Sequence, residues 1–226
     1  YKKAINVLQK LNLKKFNIIL KINFNKKINY KKIYDLKQKL KIKYFYCIMI
    51  HNPEILFNQN NKDTLSLLKK LKENKICKKV GISLYNFSHI SKIFKLFKFE
   101  IVQVPFNIFD QRLINDKIFK IFLKNNIIIH VRSIFLQGLL LKQKHKFSNK
   151  KEFYNFNKFV NKSKNTRLFH CINFIKNYAY IKNIVVGINS HHDLKEIFKN
   201  ISMKKITMNY LKLKSVKSKI INPYEW

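Results

Sequence analysis

Six apolar runs in this chain end in, or carry, a polar side chain of a type that does chemistry. Lys21 lies near the end of NIILKIN, His51 closes FYCIMIH, and Ser83 closes VGIS. Gln103 lies within IVQVPFN, Arg132 and Ser133 close IIIHVRS, and Asn189 closes IVVGIN. One polar residue at one strand end means little, but six sets at the same end of parallel strands converge on one rim and define a site. Lys21 is flanked by Ile18, Ile19, Leu20 and Ile22, and burial among them makes an unpaired ammonium costly. His51, taken alone, reads as a capping or core histidine, and Pro53 then turns the chain out of its strand.

The same inventory excludes other chemistries. Only three glycines exist, Gly81, Gly138 and Gly187, so neither a G-x-G-x-x-G fingerprint nor a Walker loop can be built. A Gly-x-Ser-x-Gly elbow fails for the same reason. His191-His192 could suggest a metal, but no carboxylate-rich cluster completes it, and no metal is expected. Cys47, inside YFYCIMI, reads as core. It is far from Cys77 and Cys171 with no C-x-x-C pair, which argues for reduced thiols in a cytoplasm rather than a disulfide framework or a zinc site.

The elements that carry these residues alternate. The clearest unit runs from Ile101 to Leu141: the strand IVQVPFN, a helix over INDKIFKIFLKNN, then the strand IIIHVRS. Ile114, Ile118, Ile121 and Phe122 share one face of that helix, and the whole makes one βαβ unit. Elsewhere the periodicities predict helices over 1–11, 30–40, 63–73, 87–97, about 152–160, 169–180 and 191–199, with a further helical pattern over 204–210. Strands fall over 17–23, 44–52, 80–83 and 184–189. Lys142 to Arg167 reads as a polar insertion. Six strands alternating with helices mean a parallel α/β architecture in one domain over residues 1–226, and with Rossmann and P-loop folds excluded a barrel is left.

Charge is the odd feature, with 48 Lys+Arg against 11 Asp+Glu and a net charge of +37. Such a balance ordinarily suggests nucleic acid or an anionic membrane. Here the excess is nearly all Lys, spread evenly beside heavy use of Asn, Ile and Phe, four residues with A/T-rich codons. Genome composition therefore explains the charge better than a binding patch, and no specific nucleic-acid partner is expected. The longest apolar run, YFYCIMI, has seven residues, far short of a membrane span. The charge still favours anionic ligands.

QVPFNIFDQR followed by HVRSIFLQGLLL resembles the sixth and seventh strands of the aldo-keto reductases, NADPH-dependent (β/α)8 TIM barrels. The chain is most similar to a bacterial branch found with surface-polysaccharide genes. The resemblance runs from Tyr1 to Trp226 and implies a start partway into the fold, with the first two strands missing and six βα units visible. It implies that Tyr1 is the general acid, that Lys21 lowers the pKa of that tyrosine, and that His51 hydrogen-bonds the substrate carbonyl. After Tyr1, the motif departs from the family pattern at Lys2, Ile5 and Gln9.

For the cofactor, the resemblance implies that Ser83 and Gln103 hold the nicotinamide carboxamide, with Leu84 where the family has asparagine. Arg132 takes the place of a stacking tyrosine, where a planar guanidinium also stacks or pairs with phosphate. Ser133, Phe135, Leu136 and Gly138 match the loop along the pyrophosphate. Gly187, Asn189, Ser190, Asp193 and Glu196 match the segment that takes the adenosine end. That segment has no basic residue beyond histidine, so NADPH over NADH is an inference from the family.

The expectation is an oxidoreductase in which NADPH, or NADH, delivers a hydride to an aldehyde or ketone, a small-molecule carbonyl of sugar type being the favoured class. Two alternatives stand: a barrel whose cofactor site has decayed in a drifting genome, and a basic nucleic-acid-binding protein.

Overall fold

In the computed structural model of the chain, residues 2–24, 29–58 and 61–226 are described, the side chains of residues 2, 3 and 224 excepted. The elements follow one another as α1 (Lys2–Leu8), β1 (Ile19–Ile22), α2 (Tyr30–Lys39), β2 (Phe45–Ile50), α3 (Asn61–Glu73), β3 (Cys77–Ser83), α4 (Ile90–Leu96) and β4 (Ile101–Pro105). They continue as α5 (Asp116–Lys124), β5 (Ile128–Arg132), α6 (Lys151–Asn161), α7 (Arg167–Lys176), β6 (Ile181–Ile184), α8 (His191–Ser202) and α9 (Ser218–Ile221). The strands form one six-stranded sheet in sequence order, β1 to β6. The pairs β1/β2, β2/β3, β3/β4 and β5/β6 are parallel, so the α/β class expected from the alternating pattern is the one observed. No helix among the described residues is long and apolar enough to cross a membrane.

The chain divides into two compact units, residues 1–103 with 121–128 and residues 104–120 with 129–226. In the first unit, Phe45, Cys47, Ile48, Met49 and Ile50 are wholly buried, as β2 should be when both its faces are covered. Leu68 and Leu71 of α3 and Ile90 and Ile93 of α4 are buried as their helical spacing requires. Phe122 meets Phe87 and Phe94 with ring centroids 6.5 and 6.1 Å apart. In the second unit Phe106, Phe109, Phe156 and Phe174 are fully buried. Thr166 caps α7 by accepting from the Phe169 amide at 3.1 Å.

Three expectations shift. The last strand is Ile181–Ile184 rather than 184–189, and 185–189 runs on as extended chain with the Val185 amide donating to Val131 O at 2.7 Å. An irregularity in the β5–β6 register at Ile129/His130 accompanies the shift, and a local irregularity of this kind moves pairing along a strand. Residues 204–210 are not helical; the Asn173 side chain instead binds this segment, donating to Ile206 O at 2.8 Å and accepting from the Ile206 amide at 2.9 Å. The first helix, expected over 1–11, stops at Leu8, and Val7 and Leu11 are 60% and 53% exposed.

Candidate active site

Three of the residues picked out by type come together in the first unit. Alternation along a strand sends every second side chain to one face, and register does the rest. Lys21 stands opposite Met49, Met49 opposite Gly81, Gly81 opposite Ile101, and Ser83 opposite Gln103. The Lys21 stem carries its ammonium one step further toward the strand ends, where Nζ donates to Ser83 Oγ at 3.1 Å and to Gln103 Oε1 at 3.0 Å. Ser83 is fully buried and Gln103 nearly so. Hydrogen bonds to a charged donor are roughly twice as strong as neutral ones, and these join residues 62 and 82 positions apart.

The layer beneath is apolar and tight. Cys47, Met49 and Ile101 form a buried cluster with Ile19 and Ile128 packed against it. A Cβ at Gly81 would lie 2.9 Å from Cys47 Sγ, 3.0 Å from Ile101 O and 3.1 Å from Met49 Cε, so glycine is the residue this floor admits. Burial, with Cys77 and Glu100 nearby, pushes the Cys47 thiol far above its ordinary range. Burial also lifts Cys77 to about 11. Both stay protonated at neutral pH and are poor nucleophiles, as a core role requires.

His51 follows β2 directly, with its amide donating to Ile22 O at 2.8 Å. Its Nε2 lies 2.8 Å from Tyr85 Oη, and the two rings meet edge to face with centroids 6.0 Å apart. Tyr85 was not singled out by type. The available signal was its position two residues beyond Ser83, which strand alternation directs to the same side. Tyr1 lies outside the described residues.

The second unit holds the rest. β5 ends at Arg132, whose Nη1 donates to Ser133 Oγ at 3.1 Å. Ser133 adopts φ +58°, and Leu136, Gln137 and Gly138 follow at +48°, +54° and +82°. Left-handed backbone at non-glycine residues costs on the order of 1–2 kcal/mol each, so the loop has to be held. Asn107 holds its start: Nδ2 donates to Ser133 O at 3.0 Å, while Oδ1 accepts from the Phe109 and Asp110 amides, each at 2.9 Å. Asp110, fully buried, takes Arg112 through two contacts of 2.8 Å. Leu136, wholly buried, anchors the loop from below. Sequence reasoning used NIFDQR only as a family signature; these are the supports of the loop.

Ser133, Phe135, Gly138, Gly187, Asn189, Asp193 and Glu196 all line one cavity of about 880 Å³ in this unit. Ser190 serves it indirectly, capping α8 by accepting from the Asp193 amide at 3.0 Å. Leu136 and Arg132 are not among the lining residues. The cavity has the size of ordinary ligand sites, and its strained loop and the start of a capped helix are groups that suit phosphate. Thr166, Arg167 and Leu168 also line it, and none of them was predicted. Among the described residues no group of three or more His, Cys, Asp or Glu is placed to hold a metal ion.

A family model described as the aldo/keto reductase family matches residues 16–216. No curated protein matches the sequence. Among solved structures the chain is similar to the apo form of aldo-keto reductase AKR11C1 from Bacillus halodurans, with 15% identity, a TM-score of 0.77, and 98% of this chain and 80% of that one covered. The holo form of that protein matches at 14% identity and a TM-score of 0.70 over 87% of this chain and 69% of that one. The glycerol dehydrogenase AKR11B4 from Gluconobacter oxydans matches at 15% identity and a TM-score of 0.61 over 80% of this chain and 61% of that one. At these identities the likeness is one of fold.

Proposed function

The chain belongs to the aldo/keto reductase family, and from that premise we propose that it reduces an aldehyde or ketone with a nicotinamide cofactor. The observation that carries this reading is the Lys21 ammonium, bonded at 3.1 and 3.0 Å to two buried polar side chains on neighbouring strands. A half-buried ammonium bonded to two buried side chains supports a place where its charge serves the chemistry. When bound, the cofactor supplies the hydride. The remaining work falls to the chain.

In this reading Tyr1 is the proton donor to the carbonyl oxygen, and the Lys21 charge draws its hydroxyl down from a pKa of about 10 toward neutrality. His51, its ring steadied by Tyr85 at 2.8 Å, directs a ring N–H at the same oxygen. Ser83 and Gln103 hold the nicotinamide carboxamide, and Arg132 lies along the nicotinamide ring. Ser133, Phe135, Leu136 and Gly138 supply the pyrophosphate loop, while Gly187, Asn189, Ser190, Asp193 and Glu196 take the adenosine end. The substrate class we favour is a sugar-type carbonyl. The resemblance to a bacterial branch found with surface-polysaccharide genes supports it, as does the polyol named for the structurally similar glycerol dehydrogenase.

The test is to titrate the protein with NADPH, following Trp226 and tyrosine fluorescence, and then to supply aldehydes, ketones and keto sugars. Saturable binding with a Kd on the order of micromolar, and oxidation of the cofactor with at least one carbonyl, are expected. Binding without turnover against the whole panel favours a decayed site. Binding only to DNA, abolished by salt, contradicts the proposal.

A further inference from the structure

The first unit holds a second, smaller cavity of about 380 Å³, lined by none of Lys21, His51, Ser83 or Gln103. Two stretches build it: the turn Pro53–Phe57 that follows β2, and the residues that lead from β3 into α4. Its floor is apolar, with Pro53, Leu84 and Ile93 all buried. Leu84 explains why this space is separate from the site above. Its amide donates to Gln103 O at 2.9 Å, continuing the ladder between β3 and β4. Strand alternation then turns its side chain away from the side that Ser83 and Tyr85 share.

The rim suits a ligand with an apolar body and two charges. Phe57 packs against His89 with ring centroids 5.0 Å apart and remains 44% exposed, a platform for an apolar group. Glu54, on the turn, and Lys92, on α4, stand exposed at the same cavity. Among the described residues neither forms an ion pair, with the other or with any third group. The chain carries 48 basic residues against 11 acidic ones, so its surface in general repels an ammonium group. At Glu54 a carboxylate without a lysine partner lets one approach. The cavity has the volume of a small ligand site.

We propose that this cavity binds a small zwitterion, an α-amino acid with an apolar side chain. Its ammonium group faces Glu54, its carboxylate faces Lys92, and its side chain rests on Phe57 above the floor of Pro53, Leu84 and Ile93. A ligand with a single charge leaves one rim group idle, and an uncharged one uses neither. Pro53 and Glu54 follow His51 within three residues, and Leu84 adjoins Tyr85. The bound amino acid thus sits next to the pair that steadies the His51 ring. The proposal stands independently of the cofactor reading.

Calorimetric titration of the full chain with L-phenylalanine, phenethylamine and 3-phenylpropionate tests it, because the last two each lack one of the charges. Wild-type protein should bind L-phenylalanine about fivefold more tightly than either analogue, the most that a partly exposed ion pair commonly supplies. Glu54→Gln should remove the advantage over 3-phenylpropionate, and Lys92→Met the advantage over phenethylamine. Phe57→Ala should weaken all three ligands. Binding of either analogue by wild-type protein as tightly as L-phenylalanine leaves one rim charge without a role and overturns the proposal. Advantages that survive in Glu54→Gln and Lys92→Met place the amino acid elsewhere and overturn it too. So does binding of none of the three by folded wild-type protein.

Discussion

The two units hold their functional residues in different ways. In the first, Lys21 of β1 is fixed to Ser83 of β3 and Gln103 of β4, at 3.1 and 3.0 Å, above a floor so tight that Gly81 admits no Cβ. In the second, the residues that line the cavity sit on a loop with four left-handed positions and at the starts of two helices. In the proposed reading, the groups that act on a proton are placed by the sheet. Groups that must wrap a ligand are placed by backbone conformation, which needs outside supports such as Asn107.

If that contrast is right, the two units fail differently when altered. Lys21→Met should lower kcat by about a thousandfold, in the range seen for acid–base groups, and leave the cofactor Kd within about threefold. Steady-state kinetics beside fluorescence titration separates the two effects. Unchanged turnover would contradict the role assigned to Lys21. In the second unit, Asn107→Ala removes a side chain that satisfies two buried amides and holds Ser133. It should cost about 1–3 kcal/mol and lower Tm by several degrees, at roughly 2–4 °C per kcal/mol for a chain of this size. Cofactor affinity should fall with it while kcat at saturation is largely kept. A loss of kcat alone would blur the contrast.

Acid should loosen the second unit. His170 is fully buried and its pKa is held down near 4, by burial first and then by Arg167. Its ring bonds Tyr210 Oη and Ser163 Oγ, each at 3.0 Å, with Phe159 and Phe169 against it. A pKa below the unfolded value means the unfolded chain takes up the proton first. The stabilisation is then present above about pH 6.5 and lost as the pH falls toward 4. His130, also buried with its pKa lowered by burial, acts in the same direction. A thermal melt at pH 7 and at pH 5 should show a lower Tm in acid, and His170→Gln should shrink that difference. The smallest expected effect is Tyr85→Phe, which should raise KM for the carbonyl a few-fold through a loosened His51 and leave cofactor binding unchanged.

Much of the first unit could be read from the sequence because strands obey simple rules. Lys21 and Ser83 stood at or near the end of an apolar run and Gln103 within one, and period-two alternation with parallel register suffices to bring them together. Tyr85 was missed because a lone tyrosine just past a strand looks like any of the other aromatic residues in an aromatic-rich chain. The second unit was legible in composition and not in position. Ser133, Phe135, Gly138, Gly187, Asn189, Asp193 and Glu196 were named, and all line the cavity. The strand meant to deliver Gly187 and Asn189 lies at Ile181–Ile184 instead, since IVVGIN has the residue types of a strand while pairing is decided by the neighbouring β5. Arg167, which lines the cavity, stands at the end of a polar insertion whose one helical pattern, about 152–160, stops short of it. Only the fold brings it to the cavity.

The most direct measurement follows one atom. The full-length protein is incubated with NADPH carrying deuterium at the transferable position of the nicotinamide, together with a keto sugar or an aldehyde, and the product is examined by mass spectrometry and NMR. The account predicts deuterium on the former carbonyl carbon, with one oxidised cofactor formed per alcohol, and transfer slowed about a thousandfold by Lys21→Met. Cofactor binding with no deuterium transferred to any carbonyl by the wild-type chain would contradict it.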